Sequence, residues 1–195
     1  MKTRHLRYSN FLNKLLDYWR NLMIPIRLKK SEISSCEQFA ALRWQLARMS
    51  SVANDRRDPS RTDNDIDLLG IKAELAVSKL FNLDFSPSSL GIDSGNDLYI
   101  DVGKKEISIQ VKSSFYSNGR LLFKSLESFT SDIAILVTAS EEQDVMIVKG
   151  WISKKEFMSA NYKKDLGHGE GHMVDQEALK DIPTLWKHIV TARHS

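Results

Sequence analysis

The chain has 195 residues and a mass of 22.3 kDa, and 42% hydrophobic residues are enough for one good core but hardly two. Its net charge of +3 conceals an asymmetry: residues 1–30 hold eight Lys or Arg (Lys2, Arg4, Arg7, Lys14, Arg20, Arg27, Lys29, Lys30) against one acid, Asp17, so this arm carries +7 and the remainder about −4. The single cysteine, Cys36, excludes an intramolecular disulfide and a cysteine-based zinc site, and no apolar run is long enough to span a bilayer, which together predict a cytoplasmic, reducing setting.

Residues 9–24 place Phe11, Leu12, Leu15, Leu16, Trp19, Leu22 and Met23 on a broad helical stripe that Pro25 ends. A basic amphipathic helix of this kind suits a membrane surface, a nucleic acid or an organelle address. The commoner use is to dock on the body or on a second subunit with its cations outward. Ser34 and Glu37 have capping-box spacing and predict a helix that carries Phe39, Leu42, Leu46 and Met49 to about Val52. Arg43 and Arg48 lie off that stripe, and the following loop adds Arg56, Arg57 and Arg61 among turn formers. A solvated linker and a phosphate-contacting loop both fit this stretch; with Lys29 and Lys30, these arginines are the candidate DNA contacts.

A second helix is expected from about Asp65 to Phe81, with Leu68, Leu69, Ala73, Ala76, Val77 and Leu80 as its apolar set. Glu74 leaves this helix at the edge of the buried stripe, with Gly70 one turn earlier. A carboxylate aimed at a core boundary must be solvated, paired or bound to metal, since leaving it desolvated costs several kcal/mol.

The stretch from Asn96 to Ser114 reads as one β-hairpin. Leu98, Ile100 and Val102 alternate with polar neighbours in its first strand, and Ile107, Ile109 and Val111 alternate with Ser108, Gln110 and Lys112 in its second. A two-residue turn at Gly103-Lys104 sets Leu98 opposite Ile109, Ile100 opposite Ile107, and Asp97 opposite Gln110. Opposed residues have Cβ atoms about 5 Å apart, so a carboxylate, an amide oxygen and the Lys112 ammonium converge on one patch of sheet. Such a patch is either an ordinary solvated sheet face or a place for a divalent cation beside a phosphate.

Asn118-Gly119 then signals a turn before a third strand, Arg120 to Lys124. A short helical turn is expected around Leu126 to Phe129. The apolar run Ile133 to Val137 suits a central strand, Val145 to Val148 another, and Ser153 with Glu156 a short capped helix. In the segment Asp165 to His172 three glycines argue against a helical His pair holding a metal, and a flexible loop is expected. Trp151, Trp186 and Tyr162 are expected in core or rim packing.

With Glu74 on a helix, Asp97 on the next strand and Gln110-Val111-Lys112 on the one after, residues 66–140 resemble the PD-(D/E)XK, restriction-endonuclease-like nuclease superfamily, as a QxK variant. Asn96 stands where that family's name-giving Pro would be, and Gln110 replaces the acid. The segment from Gly150-Trp151-Ile152 to Asp165-Leu166-Gly167 is similar to the C-terminal part of phage-type members. The resemblance implies an α/β (α+β) fold: an αβββαβ core with a mixed sheet flanked by helices, preceded by the helical arm. Residues 31–195 would form one domain, with a lead-in helix (31–57), a catalytic core (66–150) and a C-terminal elaboration (151–195). It also implies Mg²⁺, or Mn²⁺, held by Asp97, Gln110, the Val111 carbonyl and Glu74, with Lys112 beside the attacking water. The implied activity is DNA cleavage, by a homodimer or higher oligomer if both strands are cut; a DNA-binding or assembly protein that has lost cleavage is the alternative.

Overall fold

The computed structural model describes residues 23–49, 60–85, 96–103, 105–160, 162–165 and 170–193. The helix expected from residue 9 falls outside them up to residue 22, as do Arg56, Arg57 and His168. The first described element is a strand, β1 (Ile24–Arg27), which pairs antiparallel with β6 (Val145–Ser153) at the rim of a sheet. Pro25 therefore stands in an edge strand, where its missing N–H breaks no ladder.

Helix α1 (Lys30–Met49) begins before the Ser34 cap that the spacing suggests. The Glu32 carboxylate accepts from the Lys29 backbone N–H at 2.6 Å and from Lys79 Nζ at 2.6 Å, which fixes the first turn upstream and leaves Ser34 inside the helix. Helix α2 (Asp63–Phe81) opens on a capping box in which Thr62 and Asp65 satisfy each other's backbone N–H, and it closes on Asn82 in the left-handed conformation.

Strands β2 (Leu98–Asp101) and β3 (Glu106–Ser114) form the expected hairpin. Gly103 has φ +95°, Val102 N–H donates to Lys105 O at 2.9 Å, and the register is Leu98 to Ile109 and Ile100 to Ile107, as the alternation requires. The third strand, β4 (Leu121–Phe123), is shorter than expected. The Leu126 to Phe129 stretch is two successive turns, Ser128 N–H to Ser125 O and Phe129 N–H to Leu126 O, rather than a helix. Then come β5 (Ile133–Ala139), β6, the capped helix α3 (Lys154–Ser159), β7 (Lys163–Asp165), β8 (Glu170–Val174) and helix α4 (Ile182–Arg193). The segment expected as a flexible loop thus supplies a strand pair, with Asp165 opposite Glu170 and Lys163 opposite His172.

The architecture is α+β, with a mixed five-stranded sheet ordered β1-β6-β5-β3-β2. Strand β3 runs parallel to β5 and antiparallel to β2, and β4 belongs instead to a second sheet, β4-β8-β7. The expectation of three successive strands in one sheet and a helix before the fourth strand is therefore corrected. The slot beside β3 goes to β5, whose residues 133–138 are buried on both faces, and β4 buries Leu121 and Phe123 by pairing with β8.

The two faces of the main sheet carry different cores. Ile107, Ile109, Ile133, Ile135, Val137 and Trp151 pack with α1, α2 and α4 on one side. Ala134, Leu136 and Ile152 pack with Phe123, Phe129 and Phe157 on the other, under the small sheet and α3. Trp151 is buried, its Nε1–H donating to Asp181 O at 2.9 Å; Trp186 lies 4.8 Å from the Phe81 ring, and Tyr162 stacks on Phe157. Among the described residues no helix is long and apolar enough to cross a membrane.

Candidate metal and phosphate site

The chemistry-bearing residues gather where β2 parts from β3. Asp97 N–H donates to Ile109 O at 2.9 Å, the same residue that the register sets opposite Leu98, so Asp97 is held against β3 just outside β2. The Asp97 carboxylate accepts from the Val111 N–H, with Oδ2 2.6 Å from the nitrogen. A carboxylate has about four lone-pair positions, and the Val111 N–H takes one of them. The N–H and C=O of one strand residue leave toward the same edge, so the Val111 carbonyl faces the same gap.

Gln110 is 4% exposed. Its Nε2 donates to Ser128 O at 3.3 Å, which orients the amide, because a carbonyl oxygen there would repel the Gln oxygen. Oε1 is left buried with no hydrogen-bond partner. An unsatisfied buried acceptor costs about 1–3 kcal/mol, so a partner for this oxygen would stabilise the fold. Asp97, Gln110 and Val111 thus offer a carboxylate, an amide oxygen and a backbone carbonyl, the hard oxygen donors that Mg²⁺ takes. Among the described residues no three His, Cys, Asp or Glu side chains converge as a metal-holding group, so a metal here would lean on the amide and carbonyl.

Lys112 lies two residues along β3 on the face of Gln110, half-buried, with Nζ 5.4 Å from the centre of the Phe123 ring. It also lines a cleft of about 400 Å³ together with Ser113, Ser114, Tyr116, Asn118 and Arg120.

Glu74 comes from α2, on the other side of the sheet, and is half-buried. Its charge reaches Cys36, a buried thiol that burial pushes up to about 11, with Lys72 opposing and Glu32, Glu74 and Glu37 adding to the rise. The site's edge therefore receives Asp97, Gln110, Val111 and Lys112 from the hairpin, while Glu74 belongs to the helical layer.

The candidate DNA contacts are spread apart. Arg43 on α1 faces Asp67, whose carboxyl burial raises while Arg43 lowers it. Arg48 stacks on Trp44 at 4.1 Å, and Arg61 on Phe115 at 4.5 Å. Lys29 and Lys30 stand exposed at the start of α1.

Three residues that shape the site carry no local signal in the sequence. Asn96 Oδ1 accepts from Ser131 Oγ at 2.6 Å, tying the residue before Asp97 to the loop before β5. Gln176 Nε2 donates to Ser117 O at 2.9 Å and Gly119 O at 2.7 Å, clamping the turn that walls the cleft. Asp175 pairs with Arg120 Nε at 2.8 Å and Lys164 Nζ at 3.0 Å. Gly119 has its own signal but an unexpected reason: a Cβ there would collide with Ser114 and approach Tyr116 O at 2.9 Å.

No protein-family model, curated protein or solved structure matches the chain, so a functional reading rests on this geometry.

Proposed function

We propose that the chain is a metal-dependent DNA endonuclease of the PD-(D/E)XK, restriction-endonuclease-like class. The observation that carries this reading is the Asp97 carboxylate held on the Val111 N–H, next along the chain from Gln110, whose buried side-chain oxygen has no hydrogen-bond partner, with Lys112 following on the Gln110 face of β3. The succession of α2, the β2–β3 hairpin and a parallel β5 supports the class, although β4 and the small sheet depart from a helix-flanked αβββαβ core.

Asp97, Gln110 and the Val111 carbonyl would hold Mg²⁺ or Mn²⁺, with water in the remaining positions. When bound, the ion supplies Lewis-acid polarisation of a phosphate and an acidified water. Lys112 adds a point charge that orients the attacking water and stabilises the negative charge developing on the phosphate. Asn96, held by Ser131, keeps Asp97 at the strand edge, and the Val111 N–H fixes the carboxylate's rotation.

A second reading, DNA binding without cutting, draws on the amide that stands where the class has an acid. Incubation of plasmid with the full chain and Mg²⁺ or Mn²⁺, with EDTA as control, separates the two. Metal-dependent nicking or linearisation is expected, and binding with no incision under either ion favours the second.

A further inference from the structure

The 400 Å³ cleft beyond Lys112 has the size and lining to take one nucleotide. Its lining includes two cations, Lys112 and Arg120, with Ser114 and Asn118, and no carboxylate. Leu122 and Met173 give it an apolar floor, and Tyr116, 58% exposed, stands at its rim. Asp175 engages Arg120 through Nε, which steadies the guanidinium, and Lys164 shares that carboxylate, so this group of three keeps one net positive charge. A cationic groove with an aromatic face and little room is how proteins hold an unpaired strand, stacking the base and pairing the phosphate. A duplex base, already stacked between neighbours, has no face to offer Tyr116.

Lys112 is two residues from Gln110, about 6.6 Å along the strand, a spacing comparable to that of successive phosphates. We infer that the cleft binds one unpaired nucleotide of the DNA strand, its base against Tyr116 and its phosphate between Arg120 and Lys112, next to the phosphate presented to Asp97. In aiming the strand at Asp97 this rests on the nuclease reading; as a binding site it does not. The substrate class that follows is DNA with an unpaired segment, such as a flap, a gap or a frayed end.

Fluorescence anisotropy of the full chain in EDTA, with labelled oligothymidylate and a duplex of equal length, tests it without turnover. The single strand should bind more tightly than the duplex. Tyr116→Ala should weaken the single strand by about 5-fold to 150-fold, the range of one lost stacked base, whereas Tyr116→Phe should match the wild type. Arg120→Gln should flatten the single-strand salt slope by about 0.7. Tyr116→Ala binding within about twofold of wild type, or weakened equally on duplex, would overturn the proposal, since one stacked base predicts about fivefold or more on the single strand alone. If this binding pattern holds but no metal-dependent cleavage occurs, the nuclease reading fails and the strand-binding cleft stands.

Discussion

Two clefts of similar size flank the C-terminal end of β3, one on each side of the sheet. The first, about 440 Å³ on the helical side, is lined by Glu37, Asp65 and Glu142 as well as Arg61 and Lys72. The second, about 400 Å³ under the small sheet, has Lys112 and Arg120 and no acid. Shape alone would not choose between them, but a polyanion entering the first meets three carboxylates. Charges there are also engaged nearby, for Arg27 pairs with Glu142 at 2.6 Å and with Asp144 at 2.5 Å. The alternation of β3 makes this difference. Phe115 faces the mixed cleft, while Ser114 and Lys112, on the opposite face, line the cationic one.

The largest expected effect breaks the acid-free side. Asp97→Ala and Lys112→Ala should each lower DNA cleavage by about 10²-fold to 10³-fold or more in single-turnover assays, while Arg61→Ala in the mixed cleft should leave the rate within about threefold. Equal losses at Arg61 and Lys112 would erase the distinction between the clefts.

Adjacent residues on opposite faces of β3 sharpen it. Ile109, fully buried in the helical-side core, should cost about 2–5 kcal/mol when changed to Ala, read by urea unfolding. Gln110→Met, next to it, should leave stability unchanged or raise it by about 1 kcal/mol, because it removes a buried acceptor that has no partner. The same variant should lose divalent-metal binding.

Next comes the arm. A chain beginning at Met23 keeps β1 but loses five Lys or Arg and Asp17. If roughly two of those cations touch phosphates, the slope of log K against log salt on duplex DNA should flatten by about 1.8, with cleavage at high protein concentration retained.

The smallest effect lies in the helical layer. Burial would raise the Glu32 carboxyl, but hydrogen bonds from Lys79 and the Lys29 N–H, with the charges of both lysines, hold it below the usual range. A depressed folded pKa contributes stability that is present above the unfolded value and lost as pH falls through the folded one. Glu32→Gln should therefore lower stability by about 1 kcal/mol at neutral pH and by progressively less below pH ~4, measured as Tm against pH.

What could be read from the residues was what local patterns determine. The strict alternation of residues 98–109 around Gly103 specified the hairpin register, with Leu98 opposite Ile109 and Ile100 opposite Ile107. The Ser153 cap of α3 and the doubly buried β5 were equally plain. The partner of β4 was not, because three alternating residues say which faces are apolar but not which strand lies alongside; β8 is some fifty residues away. Glycines in Asp165 to His172 suggested a loop, yet pairing of Lys163 with His172 makes two strands of its flanks. Asn96 drew attention only as the residue in the place of a Pro. Its bond to Ser131, 35 positions later, and that of Gln176 to the Gly119 turn, 57 positions earlier, are tertiary contacts with no sequence spacing to announce them.

The most direct test of the central claim is Mn²⁺ binding followed by electron paramagnetic resonance in the wild type, Asp97→Ala, Gln110→Met and Lys112→Ala. One bound Mn²⁺ is expected in the wild type and in Lys112→Ala, with affinity lost in Asp97→Ala and weakened in Gln110→Met. Wild-type Mn²⁺ affinity in Asp97→Ala would contradict the account, since the carboxylate on which the site is built would then have no part in holding the ion.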